Sequence, residues 1–275
     1  MDGYDAYDLH VHTVYSDGQI DMDTLLNLLI KNKIKIVGFA DHIFPLGFAF
    51  HKKPKMFSTY FDAERLRYRK RAFDYYQRKY PQITILHGAE IDIYPHGTLS
   101  LPKGITPDFF DYLLVSKHHT IPKPLNLFKK FPKFESWLWK HDLGLRLNEY
   151  LWEKGLYTAF EKFRPDIFAH PQIGMPKHMN PRKIERFVLY CKKYGVAIEL
   201  NHVNVKEFKS ILEFGNKYDV EFACASDFHG FGKDIEQKLL HSREMLDLAK
   251  KYSLRLLDAQ KFVDRKKKGR SIVNG

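Results

Sequence analysis

The chain alternates between short apolar runs and longer amphipathic stretches. The short runs are rich in β-branched residues and contain few polar positions, which is typical of strands buried on both faces. Seven runs share this character: Tyr7–Thr13, Ile34–His42, Ile83–Ile93, Tyr112–His118, Asp166–Pro171, Val196–Asn201 and Glu221–His229. The pattern therefore predicts seven buried strands.

The stretches between these runs carry apolar residues at helical spacing. Asn180–Tyr194 shows the clearest boundaries, because Asn-Pro is a good cap and first-turn pair and Gly195 follows the last residue. The predicted helices are Asp21–Lys33, Phe61–Tyr80, Asn180–Tyr194, Val205–Tyr218 and Asp234–Tyr252. Strands that alternate with helices indicate an α/β fold with a largely parallel sheet. Periodicity alone is compatible with an open doubly wound sheet and with a closed barrel.

Two segments interrupt the alternation, at about residues 43–58 and 120–146. Both are rich in aromatic residues, which a simply disordered loop does not carry. We expect them to cover one end of the sheet. The alternative is that they are packed decorations with no role in binding substrate.

The length of 275 residues corresponds to one large domain or two small ones. No linker rich in Pro, Gly and Ser divides the chain, and a hydrophobic content of 44% excludes a mostly disordered protein. We predict a single domain over residues 1–264 and a basic C-terminal tail over 265–275. The run RKKKGR in that tail is typical of a solvated chain end.

The formal net charge of +12 should attract anions, either nucleic acid or a phosphorylated metabolite. The two cysteines cannot build a disulfide framework, which favours a reducing compartment. The acidic first residues lack the apolar run of a signal peptide, and no stretch approaches about 20 uninterrupted apolar residues. We therefore predict a cytoplasmic protein with no membrane span.

Polar or metal-competent groups stand near the C-terminal end of every predicted strand, which is the end where α/β barrels and open sheets place functional groups. Side chains two residues apart on a strand share a face. His10 and His12 can therefore hold one ion, and so can Asp227 and His229. Further candidates of the same kind are His42, Glu90, His118 and His170.

The mixture of imidazole and carboxylate groups without cysteine favours Zn, Fe or Mn. A structural zinc site is closed by four ligands, usually with cysteine among them, and about nine candidate ligands exceed that need. We predict a cluster of two or three divalent ions with a carboxylate bridge.

Seven short motifs occur in order: DLHVHTVYSDG, ADH, GAEIDI, VSKH, FAHP, ELN and SDFH. They run from Asp8 to His229, and together they resemble the polymerase and histidinol phosphatase (PHP) superfamily. The resemblance implies a distorted, TIM-like barrel of seven strands with the metal site at the C-terminal ends of the strands. It also implies a trinuclear centre.

Carried over position by position, the family pattern assigns three groups of ligands. The first ion would be held by His10, His12, Glu90 and Asp227. Glu90 would bridge to a second ion held with His118 and His170. The third would be held by Asp17, His42 and His229. The choice between His118 and His119 stays open, although alignment to the preceding strand favours His118.

Three more residues are candidates for catalysis. Asp41 could orient a metal ligand, or it could simply end a strand. Glu199 and Asn201 lie where relatives carry residues near the substrate, so the resemblance places them in the pocket but not on a metal. The basic residues near the predicted site are Lys117, Arg146, Lys177 and Lys233, and spacing singles out none of them as a phosphate ligand.

The chain shows no GxSxG motif, no Walker-type glycine loop and no cysteine in a reactive-looking setting. Paired metal ions lower the pKa of a bridging water and neutralise phosphate oxygens, which phosphoryl transfer needs. The leading prediction is hydrolysis of a small phosphate monoester by metal-activated hydroxide.

Three functions compete at this point. Residues 137–171 resemble the helix that leads into the fifth strand of histidinol phosphatases, which favours that activity and a role in histidine biosynthesis. The alternation of arginines with Tyr68, Phe73, Tyr75 and Tyr76 would suit a PHP-type nuclease or nucleotide phosphoesterase, although an amphipathic helix that packs one face would show the same pattern. A non-catalytic, metal-containing partner module is the third. The sequence leaves the oligomeric state open.

Overall fold

The computed structural model describes residues 7–43, 62–94, 96–117, 142–171, 175, 179–201, 208–232 and 234–273. For 142–149 and 267–273 the description is confined to the backbone. Most of the two aromatic segments lies outside these residues. The last five residues of the second segment, 142–146, are helical and not part of a loop.

Eight parallel strands form one sheet, and their order in the sheet is their order along the chain. They are β1 (Tyr7–Val11), β2 (Ile36–Phe39), β3 (Thr84–Asp92), β4 (Tyr112–Ser116), β5 (Ile167–Phe168), β6 (Ala197–Leu200), β7 (Glu221–Cys224) and β8 (Arg255–Leu256). Each predicted run contains one of the first seven strands. The predicted count of seven is wrong, because β8 pairs with β7 as an eighth strand.

The sheet curls until its first strand meets the segment that follows β7. The backbone N–H of His12 donates to the carbonyl of Phe228 over 2.8 Å, and the N–H of Phe228 donates to the carbonyl of His10 over 3.3 Å. A doubly wound sheet reverses its strand order at a switch point, and this sheet has no reversal. The architecture is therefore a curled parallel sheet consistent with a TIM-like barrel.

The described part of the chain has eight α-helices, which lie in the connections between strands and after β8. They are α1 (Met22–Lys31), α2 (Ala63–Lys79), α3 (Asp142–Phe163), α4 (Pro181–Tyr194), α5 (Lys209–Lys217), α6 (Ile235–Leu239), α7 (His241–Lys251) and α8 (Ala259–Val273). The stretch predicted as one helix over Asp234–Tyr252 is two helices that meet at Leu240. The backbone of α8 continues into the segment predicted as a tail.

The side chain of Tyr112 fills the space between neighbouring strands, where Gly38 of β2 and Gly88 of β3 make room for it. A Cβ atom on either glycine would lie 2.2 Å from an atom of that side chain. The Tyr112 hydroxyl donates to the carbonyl of Leu9 in β1. This packing ties together the four strands that carry most of the candidate site.

Candidate metal centre

Eight of the nine predicted ligands converge at one place in the described structure. His10 and Glu90 lie within β1 and β3, and the others lie in the segments that follow strands. The other six are His12, Asp17, His42, His170, Asp227 and His229. His118 and His119 lie outside the described residues.

The first group of donors surrounds a common point. The Nε2 atoms of His10 and His12 are 3.0 Å apart, and Asp227 Oδ1 lies 3.4 Å and 3.3 Å from them. Glu90 Oε2 lies 3.5 Å from His10 Nε2 and 3.6 Å from His12 Nε2. Ligand bonds of about 2.0–2.2 Å place tetrahedral ligands about 3.3–3.6 Å from one another. The carboxylate–imidazole distances match this spacing, and His10, His12 and Asp227 form one set of donors close enough to hold an ion.

Glu90 points its two oxygens at different neighbours. Oε2 faces the first group and lies 2.7 Å from His42 Nδ1, while Oε1 lies 2.7 Å from His170 Nε2. His10, Glu90 and His170 form a second set of donors close enough to hold an ion. A carboxylate in this position is able to bridge two ions.

Asp17, in the loop that follows β1, is the carboxylate of a third group of donors. Its Oδ2 atom lies 3.3 Å from His229 Nε2 and 3.7 Å from His42 Nε2, and His12 adjoins the same group. Residues from distant parts of the sequence thus meet around one carboxylate. The donor types suit Zn, Fe or Mn.

The backbone is irregular at or next to three of the proposed ligands, His10, His170 and Asp227. β1 contains one extra residue relative to β2 between Asp8 and Val11, a bulge beside His10. Asp227 has a φ of 53° and His170 a φ of 22°, a region that residues other than glycine rarely adopt. Strain of this kind persists where surrounding contacts impose it and is frequent at functional sites.

Hydrogen bonds at Nδ1 orient three of the imidazoles. His10 Nδ1 lies 3.1 Å from Glu199 Oε1, His12 Nδ1 lies 3.2 Å from Asp17 Oδ1, and His229 Nδ1 lies 2.9 Å from the carbonyl of Asp227. A neutral ring with its proton at Nδ1 would turn its Nε2 lone pair towards the donor groups. This is the arrangement by which proteins fix histidine ligands.

Burial and mutual charge shift the pKa values of these groups strongly. Burial by itself would lower the pKa of His10, but the carboxylates of Glu199, Asp227 and Glu90 outweigh it and raise that pKa well above its usual range. Against the same effect of burial, the contacts of His12 with Asp17 and Asp227 raise its pKa to about 9. The site therefore attracts positive charge, which protons or divalent cations can supply.

The carboxylates shift in the complementary direction. Burial would raise the pKa of Asp227, but His10 and His12 hold that pKa well below its usual range. Burial would also raise the pKa of Asp17, and its contacts with His12 and His229 lower it instead. Both carboxylates are therefore anionic at neutral pH.

The three residues predicted as catalytic contact proposed ligands, or groups next to those ligands, in the described structure. Glu199 is fully buried, contacts the His10 ring and accepts a hydrogen bond from the backbone N–H of His170 over 2.9 Å. Asn201 Nδ2 donates to Glu199 Oε1 over 3.3 Å. Asp41 accepts hydrogen bonds from the loop after β1. These contacts suit positioning of the ligands.

Lys117 is the one basic candidate whose side chain the structure describes at the site. It is 1% exposed, and its Nζ lies 3.4 Å and 3.3 Å from the carbonyls of Leu151 and Trp152 on α3. Burial lowers its pKa to about 8, and Asp92 opposes that shift. The described contacts of Lys117 thus connect the end of β4 to a helix.

Sequence reasoning misses two buried charged residues. The sequence places Arg69 among the basic residues of its helix, yet its side chain is fully buried. Its spacing from the apolar residues Leu66 and Phe73 is the signal that could have found it. Asp8, two residues before His10, accepts hydrogen bonds from the backbone N–H groups of His10 and Ser226, and burial raises its pKa to about 7.

The family model for the PHP domain matches residues 8–260, which include every described donor of the centre. This chain belongs to the PHP domain family. It is 25% identical over 197 residues to the DNA polymerase/3′-5′ exonuclease PolX of Bacillus subtilis (strain 168). That match covers 70% of this chain but only 28% of the polymerase.

A solved structure with the same fold is the histidinol phosphate phosphatase of Lactococcus lactis subsp. lactis Il1403, which was crystallised with zinc, L-histidinol and phosphate. The two structures superpose with a TM-score of 0.58 over 92% of this chain and 95% of that one, at 13% sequence identity. At this identity the likeness concerns the fold. No helix in the described part of the PHP chain has the length and apolar character to cross a membrane.

Proposed function

We propose that this PHP protein is a metal-dependent phosphoesterase that hydrolyses a small phosphate monoester, of the histidinol-phosphatase type. The observation that carries the proposal is the convergence of three donor groups, with Glu90 between them. Membership of the PHP family supports it. We further propose two or three bound ions of Zn, Fe or Mn, in keeping with the donor chemistry.

The residues that would hold the ions are the eight described donors, with His118 as a proposed ninth. Bound divalent ions supply Lewis acidity towards a phosphoryl oxygen and lower the pKa of a coordinated water. Glu199 keeps the His10 ring in the tautomer whose Nε2 faces the centre. Asp17 does the same for His12 while it contributes its other oxygen to the third group.

Support for a small amino-alcohol phosphate comes from two sources. Residues 137–171 resemble the helix that leads into the fifth strand of histidinol phosphatases. The solved structure that covers 92% of the chain is a histidinol phosphate phosphatase. Its complex with L-histidinol and phosphate makes histidinol phosphate the first substrate to test.

A second candidate function is cleavage of nucleic acid ends. Tyr68 and Tyr75 on α2 are exposed, and the outward-facing Arg67 and Arg71 make no ion pair with another described residue. Tyr68 also contacts Tyr15, which lies in the loop after β1, with ring centroids 6.2 Å apart. Arginines and aromatic rings are what a single-strand groove uses. The similarity to an exonuclease supports the same function.

One assay separates these candidates. Protein loaded with Zn, Mn or Fe is given histidinol phosphate in one series, and short single-stranded oligonucleotides and nucleotide 3′-phosphates in another. We expect fast turnover of histidinol phosphate alone. Turnover of the nucleic acid substrates alone would contradict the proposal in favour of the second candidate, and metal binding without turnover would favour a non-catalytic partner module.

A further inference from the structure

Arg69 lies inside the molecule although it belongs to the most basic helix of the chain. It sits on α2 and is fully buried. Phe73, one turn further along the helix, packs against it with the guanidinium carbon 4.5 Å from the ring centroid. Its neighbour Arg71 is exposed. The two arginines therefore have different roles, and only Arg69 is placed to act on the interior.

The guanidinium of Arg69 uses three nitrogen atoms on three acceptors. Nε donates to Asp41 Oδ2 over 2.7 Å. The two terminal nitrogens donate to the carbonyls of Gly88 in β3 and Phe39 in β2, each over 3.0 Å. Arg69 thus connects α2 to two strands that lead directly to His42 and Glu90.

Asp41 in turn binds the loop that follows β1 through hydrogen bonds. It accepts hydrogen bonds from the backbone N–H of Thr13 over 2.7 Å and from the Thr13 hydroxyl over 2.8 Å and 2.9 Å. Ser16 Oγ lies 2.7 Å from Asp41 Oδ1 and 3.1 Å from Asp17 Oδ1. The contacts therefore run without a gap from Arg69 to the carboxylate at the centre of the third donor group.

We propose that Arg69 is a positioning residue for the metal centre: through Asp41 it fixes the loop that carries Asp17 and so sets the affinity of the third ion. This inference rests on the metal centre of the proposed function. It does not rest on the identity of the substrate. The three described hydrogen bonds of the Arg69 guanidinium go to Asp41 and to two strand carbonyls, so its effect on metal binding is expected to pass through these groups.

A buried ion pair is a poor way to gain stability, because the cost of removing both charges from water offsets their attraction. Packed apolar side chains of similar volume would serve a purely structural role at least as well. The ion pair instead fixes the positions of the groups that contact it. The planar guanidinium of arginine donates hydrogen bonds in fixed directions, and the ammonium group of lysine does not. The arrangement suits the precise placement of a loop.

The test measures zinc alone, without substrate. Zinc affinity and stoichiometry are determined by competition with a chromophoric chelator for the parent protein, Arg69→Met, Arg69→Lys, Asp41→Asn and the double variant Asp41→Asn/Arg69→Met. Arg71→Met on the exposed face of α2 is the matched control. Circular dichroism and thermal unfolding of each metal-free variant report on folding separately.

We expect Arg69→Met to weaken the most loosely bound zinc about 10-fold, the lower end of the effect of removing a direct partner of a metal ligand, because Arg69 acts on Asp17 through Asp41 and Ser16. Arg69→Lys should recover part of that loss, because it keeps the charge next to Asp41. The double variant should lose no more than the worse single variant, since both residues act along one path. Arg71→Met should bind zinc like the parent.

Folded Arg69→Met protein with parental affinity for every zinc ion would overturn the inference. So would a double variant whose loss is the product of the two single losses. If Arg69→Met fails to fold, Arg69→Lys and Ser16→Ala decide the matter, and parental zinc affinity in both would again refute it. A protein that binds zinc as expected but hydrolyses no phosphate ester would refute the proposed function and leave this inference intact.

Discussion

At the scale of single residues, Arg69 is fully buried on a helix whose other arginines are exposed. The sequence marks Arg69 as one of several arginines on a basic helix, and only its helical spacing from Leu66 and Phe73 reveals the buried position. The candidate ligands are visible in the sequence because His, Asp and Glu recur at the ends of the apolar runs, and the structure brings eight of them together. The contacts of Glu199 with His10 and His170 depend on how distant strands pair, and no local pattern encodes them.

Asp227 belongs to the first donor group with His10 and His12. Asp227→Ala should lose at least one bound ion and abolish phosphoester hydrolysis, because the remaining donors leave an open position. Metal content by elemental analysis and turnover of histidinol phosphate measure the two effects. Asp247→Ala, at an exposed aspartate of α7, is the control and should match the parent protein. Full activity and metal content in Asp227→Ala would contradict the proposed centre.

Glu199 holds His10 without belonging to a described donor group. Glu199→Gln keeps the shape but loses the charge that favours the proton at Nδ1 of His10. We expect zinc affinity at the first group to fall by about 10-fold or more, as measured by chelator competition. Glu213→Gln, on the exposed face of α5, should have no effect. An unchanged affinity in Glu199→Gln would show that the ring needs no such partner.

At the scale of elements, the seven apolar runs in the sequence predicted strands β1 to β7. Hydrophobic periodicity missed β8 because Arg255 is exposed and Leu256 only half-buried, whereas the equally short β5 is fully buried. It also missed the interruption at Leu240, since both α6 and α7 continue the same amphipathic pattern. The division into a domain over 1–264 and a tail over 265–275 stays a prediction, and α8 spans that boundary.

The contact between Tyr112 and the glycines of β2 and β3 makes a prediction about packing. Gly38→Ala should destabilise the protein by about 1–3 kcal/mol, because a new methyl group would overlap the tyrosine hydroxyl. Chemical denaturation of the purified protein measures the change. In a Tyr112→Phe background the same substitution should cost less, since the nearest atom is gone. An equal cost in both backgrounds would show that overlap with the hydroxyl is not the cause.

The last helix also allows a test. A chain that ends after Val263 keeps the buried Phe262 and Val263 but loses the ion pair between Lys266 and Asp166. We expect a lower melting temperature because that ion pair is lost. At temperatures where the truncated protein is folded, hydrolysis of a small substrate should be unchanged, because Asp166 precedes β5 and the metal donors lie at the other end of the strands. A loss of rate while the protein is folded would mean that the tail contacts the substrate.

At the scale of the whole molecule, the donor groups connect the first strand to the segment after the seventh. Ions that bind the folded protein alone stabilise it by mass action, by about 2.7 kcal/mol at a free concentration 100 times the Kd. Chelation should therefore lower the melting temperature, and added zinc should restore it, as calorimetry can measure. An equal melting temperature with and without metal would contradict a centre that joins distant parts of the chain.

The closure between β1 and the residues after β7 has a consequence for how the protein matures. His10 and His12 are made early in synthesis, but Asp227 and His229, which complete the first and third donor groups, are made much later. No nascent chain that stops before these two residues possesses a complete first or third group. Binding of the proposed ions at those groups would therefore follow translation of most of the polypeptide. A truncated chain that left the ribosome earlier would contain neither group in complete form.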